Sequence, residues 1–217
     1  MHFRLLAFGL HICASACALT LILGGMYVGW YRWPGWYLSG VVHVVGIVVL
    51  VDLVIGPTLT LVIANPDKPR RELARDLAMI VSVQLIALLY GAATLWQGRP
   101  LYYTFSADRL EMVQASDLEA DEIRLAQQQN PALAPHWYSL PRWVWAPLPD
   151  DPAEAAKIVN GTVLGGGQDV IDMPRYFRSW EQGLPKLRGQ LTRHTAEDGT
   201  DHFEVSTPDT TTRSAPE

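Results

Sequence analysis

Three long apolar runs in the first hundred residues limit the possible folds of this chain more than any other feature. The runs are Leu5–Tyr31, Val41–Ala64 and Leu77–Gly98, and a single charged side chain, Asp52, interrupts them. Each run has at least about 20 residues, the length that an α-helix needs to cross a hydrocarbon layer about 30 Å thick. Because backbone polar groups inside lipid must be satisfied within the segment, each run predicts a transmembrane helix.

The first run also has one feature of a cleaved signal peptide. Ala14-Ser15-Ala16 has the small-x-small spacing of a cleavage site, and Ala16-Cys17 is faintly similar to a lipoprotein processing site. The apolar run nevertheless continues unbroken to Val28, and residue 14 is not the branched apolar residue of such a processing site. We therefore expect the first helix to remain uncleaved.

The charges are distributed unevenly along the chain. The protein has 17 Lys and Arg residues against 22 Asp and Glu residues, yet the first 100 residues hold 7 basic and only 4 acidic residues. The second part is therefore acidic, and it has no basic stripe, which argues against nucleic-acid binding. Two cysteines, both in apolar sequence, exclude a disulfide framework and a cysteine-based zinc site.

Basic residues near the ends of the runs predict the orientation. Arg4 precedes the first run, four basic residues lie in the connection over residues 65–75, and the other connection has only Arg32. Since Lys and Arg are enriched in cytoplasmic loops, the N-terminus is predicted to be cytoplasmic and the chain after Gln97 to lie outside. Two aromatic clusters would then share the outer interface. They are Tyr27, Trp30, Tyr31, Trp33, Trp36 and Tyr37, and Trp96, Tyr102 and Tyr103.

Short secondary-structure elements are predicted after the third run. Strands are expected at Leu101–Phe105 and Leu110–Gln114, and helices at Asp117–Gln129 and Pro152–Val159. Residues 131–152, rich in Pro and Trp, predict an extended packed loop. A hairpin on Asn160-Gly161 is an alternative to the second helix. A short helix over 174–181 and a strand over 202–205 complete the prediction.

These patterns together predict a membrane protein, in which a three-helix transmembrane bundle is followed by a small α+β extracytoplasmic domain. The bundle covers residues 1–98, the second domain covers 99–206, and residues 207–217 form a disordered tail rich in Thr, Ser and Pro. The three helices are expected at about 5–30, 40–64 and 76–97.

Asp52 is the first candidate for a functional role. It lies about midway along the second helix, where an ionisable group is costly and is usually functional. Gln84 on the third helix and His11 on the first lie at a similar depth. Three roles stay open for Asp52. A protonated side chain could hold the bundle together by bonding to Gln84 or to a helix carbonyl. It could instead contact a partner, or it could relay protons or act in catalysis.

Gly56-Pro57 is predicted to interrupt the second helix. Proline lacks an N–H and its ring collides with the carbonyl of Leu53, so a kink and a free carbonyl are expected there. Asp52, Thr58 and Thr60 would border this polar break.

Small residues form a stripe along one face of the first helix: Gly9, Cys13, Cys17 and Gly25. Such a stripe is typical of close helix packing. The two cysteines are four residues apart on one helix, a spacing that does not readily form a disulfide.

Residues for catalysis or metal binding are not evident. The six histidines have no ligand spacing, and no Gly-x-Ser-x-Gly context surrounds a serine. We therefore expect no cofactor, no metal and no enzyme activity.

Several segments, taken in order, resemble the TfpX/TfpZ family of type IV pilin accessory proteins. The resemblance covers about residues 5–113. The segments are Val51–Pro66, Asp76–Ala78, Gln84–Gly91, Arg99–Tyr102 and Asp108-Arg109.

This resemblance implies a small inner-membrane protein of Gram-negative bacteria, with three membrane helices and a periplasmic C-terminal part. It implies a helper, such as a chaperone or assembly factor for a cognate major pilin, which also contacts membrane lipid and other pilus assembly proteins. A pilin waiting in the membrane holds an apolar N-terminal helix with a buried acid. We therefore expect a groove for that helix, in which Asp52 is protonated, since two carboxylates would repel each other.

The expected partner-binding residues are Asp52, Gly56, Pro57, Thr60, Gln84, Asp108 and Arg109. Of these, Asp108 and Arg109 have an alternative role as an ion pair that caps a turn. Two other functions stay open. One is a membrane enzyme, or the partner of an enzyme, in pilin modification such as glycosylation, and the other is a structural subunit of the assembly platform.

Overall fold

A computed structural model describes residues 2–106, 109–163, 167–195 and 201–205. The chain divides into two compact units, Met1–Arg99 and Pro100–Glu217, which are called here the helical unit and the mixed unit. Three long apolar helices form the first, and a small sheet with helices forms the second. This part of the predicted fold class is confirmed.

The helical unit consists of the predicted long helices and one short helix in the first connection. The three long helices have 28, 22 and 28 residues, and they are long and apolar enough to cross a membrane. The elements are α1 (His2–Gly29), α2 (Gly35–Leu38), α3 (Val42–Val49), a π-helical segment (Leu50–Ile55), α4 (Gly56–Ile63) and α5 (Arg70–Gln97).

The second long helix passes through Pro57 without the predicted break. Helical φ and ψ angles continue through the π-helical segment into Gly56 (φ −63°, ψ −53°). A π-helical turn pairs each carbonyl with an N–H five residues later, which opens the turn locally. Pro57 therefore enters at the first turn of α4, where the absence of its N–H does least harm.

Close packing between α3 and α5 depends on Gly91. Val48 and Leu88 are buried together with Leu19 of α1. A Cβ atom on Gly91 would overlap the Cγ2 atom of Val48. At one end of the unit, the Tyr31 hydroxyl donates a hydrogen bond of 2.6 Å to the carbonyl of Leu95, which ties the first connection to α5.

The stripe of small residues on α1 does not pack against the other helices. Cys13 and Cys17 are exposed, and a Cβ atom on Gly9 or Gly25 would meet nothing within 4 Å. The expectation of close packing on this face is therefore wrong for the unit by itself, because a different face of α1 turns inward.

The mixed unit is built on a four-stranded sheet with the order β2-β1-β3-β4. The strand β1 pairs antiparallel with β2 and parallel with β3, and β3 pairs antiparallel with β4. The hairpin of β5 and β6 forms a second sheet. The strands are β1 (Pro100–Ser106), β2 (Arg109–Gln114), β3 (Arg142–Trp145), β4 (Arg178–Ser179), β5 (Leu191–Thr195) and β6 (Asp201–Val205).

The helices of the mixed unit are α6 (Ala120–Gln129), α7 (Pro152–Val163) and α8 (Trp180–Gln190). Every residue of the central strand β1 is buried. The core of the unit includes Tyr102, whose ring meets that of Phe177 edge-on and whose hydroxyl donates to the carbonyl of Leu133.

Three predictions for this unit need correction. The loop over 131–152 contains the strand β3, which is too short for a periodic pattern. The predicted helix over 174–181 is a 3-10 turn, Pro174–Tyr176, followed by β4, and α8 begins only at Trp180.

The third correction concerns α7, which continues past Asn160-Gly161 to Val163, so the alternative hairpin is wrong. The Thr162 hydroxyl supports the added turn by donating to the carbonyl of Ile158. The predicted strands before α6 and the strand at 202–205 are confirmed. The predicted tail, residues 207–217, lies outside the described residues.

Substitution of Gly91 tests the contact between α3 and α5. Gly91→Ala should destabilise the helical unit by about 1–3 kcal/mol, because its Cβ displaces Val48 in a packed site. Gly46→Ala is the matched control, since nothing lies within 4 Å of its Cβ. That change should stabilise the helix by about 0.5–1 kcal/mol. Unfolding of the full chain in detergent measures both, and equal effects would contradict the proposed contact.

Candidate functional site

Five of the seven predicted site residues are buried together in the helical unit: Asp52, Gly56, Pro57, Thr60 and Gln84. Asp52, which has an ionisable side chain, is only 3% exposed. Thr60 is similarly buried, and Gln84 of α5 is 8% exposed. The second long helix and α5 thus bring these residues into one polar cluster within an apolar unit.

The π-helical turn decides which backbone carbonyl is left without its helix partner. The Gly56 N–H donates to the carbonyl of Val51, five residues earlier. The next carbonyl in this register, that of Asp52, would need an N–H at residue 57, which is proline. The Gln84 side chain supplies the missing donor, because its Nε2 atom donates to the Asp52 carbonyl over 3.3 Å. The free carbonyl expected at Leu53 therefore lies at Asp52.

Gly56 is required for this contact. A Cβ atom at this position would overlap the side-chain amide of Gln84. The glycine thus opens the space through which Gln84 reaches the second long helix. The sequence prediction included Gly56 only as part of a helix break, whereas its structural role is to admit a side chain from α5.

His11 of α1 joins the cluster through Thr60. Its Nδ1 atom and the Thr60 hydroxyl share a hydrogen bond of 2.6 Å. This bond links α1 to α4 one turn beyond the π-helical segment. The sequence predicts the depth of His11 but not its partner, so His11 is not among the predicted site residues.

Three buried oxygen atoms of the cluster are left without hydrogen bonds. Both carboxyl oxygens of Asp52 and the Oε1 atom of Gln84 have no partner among the described residues. The hydrogen bond that Gln84 donates goes to the Asp52 backbone carbonyl. A buried polar atom without a partner costs about 1–3 kcal/mol. The site is thus rich in unused acceptors.

A cavity of about 200 Å³ adjoins these acceptors. It is lined by residues of α1 and α5 and by Asp52. The lining residues of α1 have the i, i+3, i+4, i+7 spacing of one helix face, and so do the lining residues of α5. The walls are His11, Ala14, Ser15 and Ala18, and Val81, Gln84, Leu85 and Leu88. This face of α1 was missed in the sequence, although its spacing, with one histidine and one serine, is a usable signal.

Arg109 belongs to the mixed unit, at the start of β2. Its Nε atom donates to a carboxyl oxygen of Glu111 over 2.8 Å, and its guanidinium group also pairs with Asp169. The other predicted residue of this pair, Asp108, lies outside the described residues. The contacts of Arg109 within the unit therefore connect β2 to the segment before the 3-10 turn Val170–Asp172.

Asp172 lies beside this ion-pair cluster. Burial raises the pKa of its carboxyl to about 6, with further contributions from the negative charges of Asp117, Asp169 and Glu111. The positive charge of Arg109 acts in the opposite direction. The mixed unit therefore contains a carboxyl group that changes charge close to neutral pH.

The geometry defines a class of protein: a bundle of three long apolar helices with a buried polar cluster, joined to a small α+β unit. In the described part of the chain, no group of three His, Cys, Asp or Glu residues is arranged to hold a metal ion. The cluster offers acceptors to a ligand.

Comparison with known proteins shows similarity to three fimbrial assembly proteins of Dichelobacter nodosus. The protein of serogroup I is 26% identical over 183 residues, which are 83% of this chain and 68% of that protein. The protein of serogroup E1 is 25% identical over 183 residues, with the same coverage. That of serogroups C1 and C2 is 28% identical over 115 residues, which are 53% of this chain and 88% of that protein.

No protein-family profile matches the chain. No solved structure matches it either.

Replacing Asp172 by asparagine should stabilise the full chain near pH 7.5 but not near pH 4. The raised pKa means that the stability contributed by protonated Asp172 is fully present below about pH 4 and is lost as the pH rises through about 6. Two pKa units correspond to about 3 kcal/mol, and partial exposure reduces the gain to about 1–2 kcal/mol.

Thermal unfolding in detergent at the two pH values measures this difference. The exposed Asp150 provides the matched control, since Asp150→Asn should change stability little at either pH. A gain for Asp172→Asn that is the same at both pH values would contradict the assigned cause.

Proposed function

We propose that the chain is a multi-pass protein of the bacterial inner membrane that assists type IV fimbrial assembly. The observation that carries the proposal is the similarity to the fimbrial assembly proteins, two of which match 83% of the chain. A match of that extent includes parts of both units, because the helical unit has only 99 residues. The similarity therefore concerns the whole arrangement and extends beyond its apolar helices.

The surface of the helical unit supports a membrane location. Leu21 is 77% exposed, Ile86 is 68% exposed and Leu6 is 63% exposed, each on a different part of α1 or α5. Apolar exposure over the length of three helices is unfavourable in water and suits lipid. The basic connection between α4 and α5 supports a cytoplasmic position for that end, which leaves the mixed unit in the periplasm.

The aromatic end of the helical unit supports the same membrane location. The rings of Trp30 and Trp96 pack edge-to-face with centroids 5.1 Å apart, and the Arg99 guanidinium group lies 4.3 Å from the Trp96 ring centre. Amphipathic rings beside a cation suit the boundary between lipid and water. This end precedes the mixed unit directly in the chain, so it would face the periplasm.

Within fimbrial assembly, we propose the accessory role of the TfpX/TfpZ family. The protein would bind its cognate major pilin before the pilin enters the fimbria, without a catalytic activity of its own. The cleft beside Asp52 would shelter the pilin's apolar helix, and the mixed unit would contact its periplasmic head. The open acceptors of Asp52 and Gln84 support this role, because a structural bundle gains nothing from leaving them unpaired.

Deletion of the gene tests the assembly role. We expect fewer surface fimbriae and a lower cellular level of pilin, because unprotected pilin is degraded, and both should return on complementation. Pilin should also co-purify with the tagged full chain from detergent-solubilised membranes. Unchanged pilin abundance with an altered pilin mass would instead indicate a modification pathway. Capture of platform proteins without pilin would indicate a platform subunit.

Two substitutions at Asp52 test the site in the same host. Asp52→Asn keeps an uncharged acceptor and should preserve pilin levels and fimbriae. Asp52→Leu removes both acceptors and should reduce them by several fold. The matched control is Thr58→Leu, a polar-to-leucine change at an exposed position of the same helix. If Asp52→Leu behaves as wild type in cells, the cleft is not the pilin site.

A further inference from the structure

We propose that the cleft between α1 and α5 receives a transmembrane helix that presents a hydrogen-bond donor, which Asp52 accepts. This inference rests on the membrane location proposed above and specifies the chemistry of the partner at that site. It concerns a single side chain of the partner, inserted into the cavity beside Asp52.

The donor follows from the count of hydrogen-bonding groups in the cluster. The His11–Thr60 bond uses one donor, and the Gln84–Asp52 backbone bond uses one N–H of the Gln84 amide. Three acceptors are then left open, namely both carboxyl oxygens of Asp52 and the Gln84 Oε1 atom. A protonated carboxyl group donates one O–H but keeps one acceptor oxygen, an ionised one only accepts, and an amide oxygen only accepts, so an acceptor is left open in either protonation state. A ligand complementary to this set must donate.

The shape of the cleft indicates that the donor arrives on a helix. Asp52 and Gln84 lie deep, whereas Ala14, Val81 and Leu85 at the sides of the cavity are exposed. The cleft is therefore open laterally. Its walls extend over eight residues of each helix, and the seven rises of about 1.5 Å between them span about 10 Å. A cavity of about 200 Å³ accepts one side chain, while small residues on α1 let a helix backbone approach.

Lipid is a poor occupant of the same space. An acyl chain would cover the apolar walls but would leave the Asp52 carboxyl group without a donor, at a cost that grows in a medium without water. Headgroup donors lie at the membrane surface, far from a residue about midway along its helix. A protein helix is the component of the bilayer core that carries hydroxyl, amide or amine donors at this depth.

Synthetic helices test the inference without pilin. The full chain is placed in vesicles of phosphatidylethanolamine and phosphatidylglycerol with labelled Leu-Ala helices of 21 residues that carry one central Asn or one central Leu. Energy transfer from the labelled protein measures binding, with the peptide dilute enough to stay monomeric. We expect the Asn helix to bind about three- to thirtyfold more tightly, the range of single hydrogen bonds between membrane helices.

Variants connect this preference to the cleft. Asp52→Leu and Gln84→Leu should each reduce the preference for the Asn helix, and Asp52→Asn should retain it because an acceptor stays in place. Thr58→Leu should leave it unchanged. Circular dichroism and thermal unfolding show whether each variant folds. If Asp52→Leu does not fold, the comparison uses Gln84→Leu instead.

Three results would overturn the inference: equal binding of both helices by the wild type, a preference that survives both leucine variants, or loss with Asp52→Asn as large as with Asp52→Leu. If the full chain self-associates in the vesicles and Asp52→Leu abolishes this, the occupant of the cleft is a helix of a second copy of this chain, and the inference of a different partner is wrong. The vesicle experiment contains no pilin, so it is independent of the deletion experiment. If the synthetic helices show no preference but deletion still reduces pilin and fimbriae, the assembly role remains supported and only this inference is rejected. If the preference is found but deletion has no effect, only the assembly role is rejected.

Discussion

The missing N–H of Pro57 is the constraint around which the helical unit is organised. Because the turn before it is π-helical, the carbonyl left without a helix partner belongs to Asp52, and Gln84 of α5 donates to it. That donor can reach the carbonyl only because Gly56 has no side chain. One residue without an amide proton thus fixes the approach of α5, the identity of residue 56 and the neighbourhood of the buried carboxyl group.

The two units solve the problem of burying apolar surface in opposite ways. The mixed unit encloses its apolar side chains around β1, and Tyr102 is nearly inaccessible within that core. The helical unit instead exposes large apolar side chains over all three long helices and buries polar ones. This inversion, together with the net negative charge of the second part of the sequence, fits a chain whose two parts fold in different solvents.

The sequence predicts the long helices well because their length and lack of charge are properties of single segments. It also identifies Asp52, Thr60 and Gln84, since polar residues stand out in apolar runs, and Gly56 through its place before a proline. The π-helical turn is not predictable in this way, because hydrogen-bond register leaves no trace in residue periodicity. The inward face of α1 was missed for another reason: both of its faces carry small residues, and only the neighbouring helices decide between them.

The hydrogen bond from Gln84 gives a physical argument against a purely structural role for the Asp52 side chain. The acceptor in that bond is the backbone carbonyl, which any residue at position 52 would provide. A leucine there would keep the bond, fill apolar space and remove two buried oxygens that have no partner. Packing alone therefore favours an apolar residue at this point. A donor on a bound helix, as proposed above, would account for the carboxyl group, and the lateral opening beside it is where that ligand would enter.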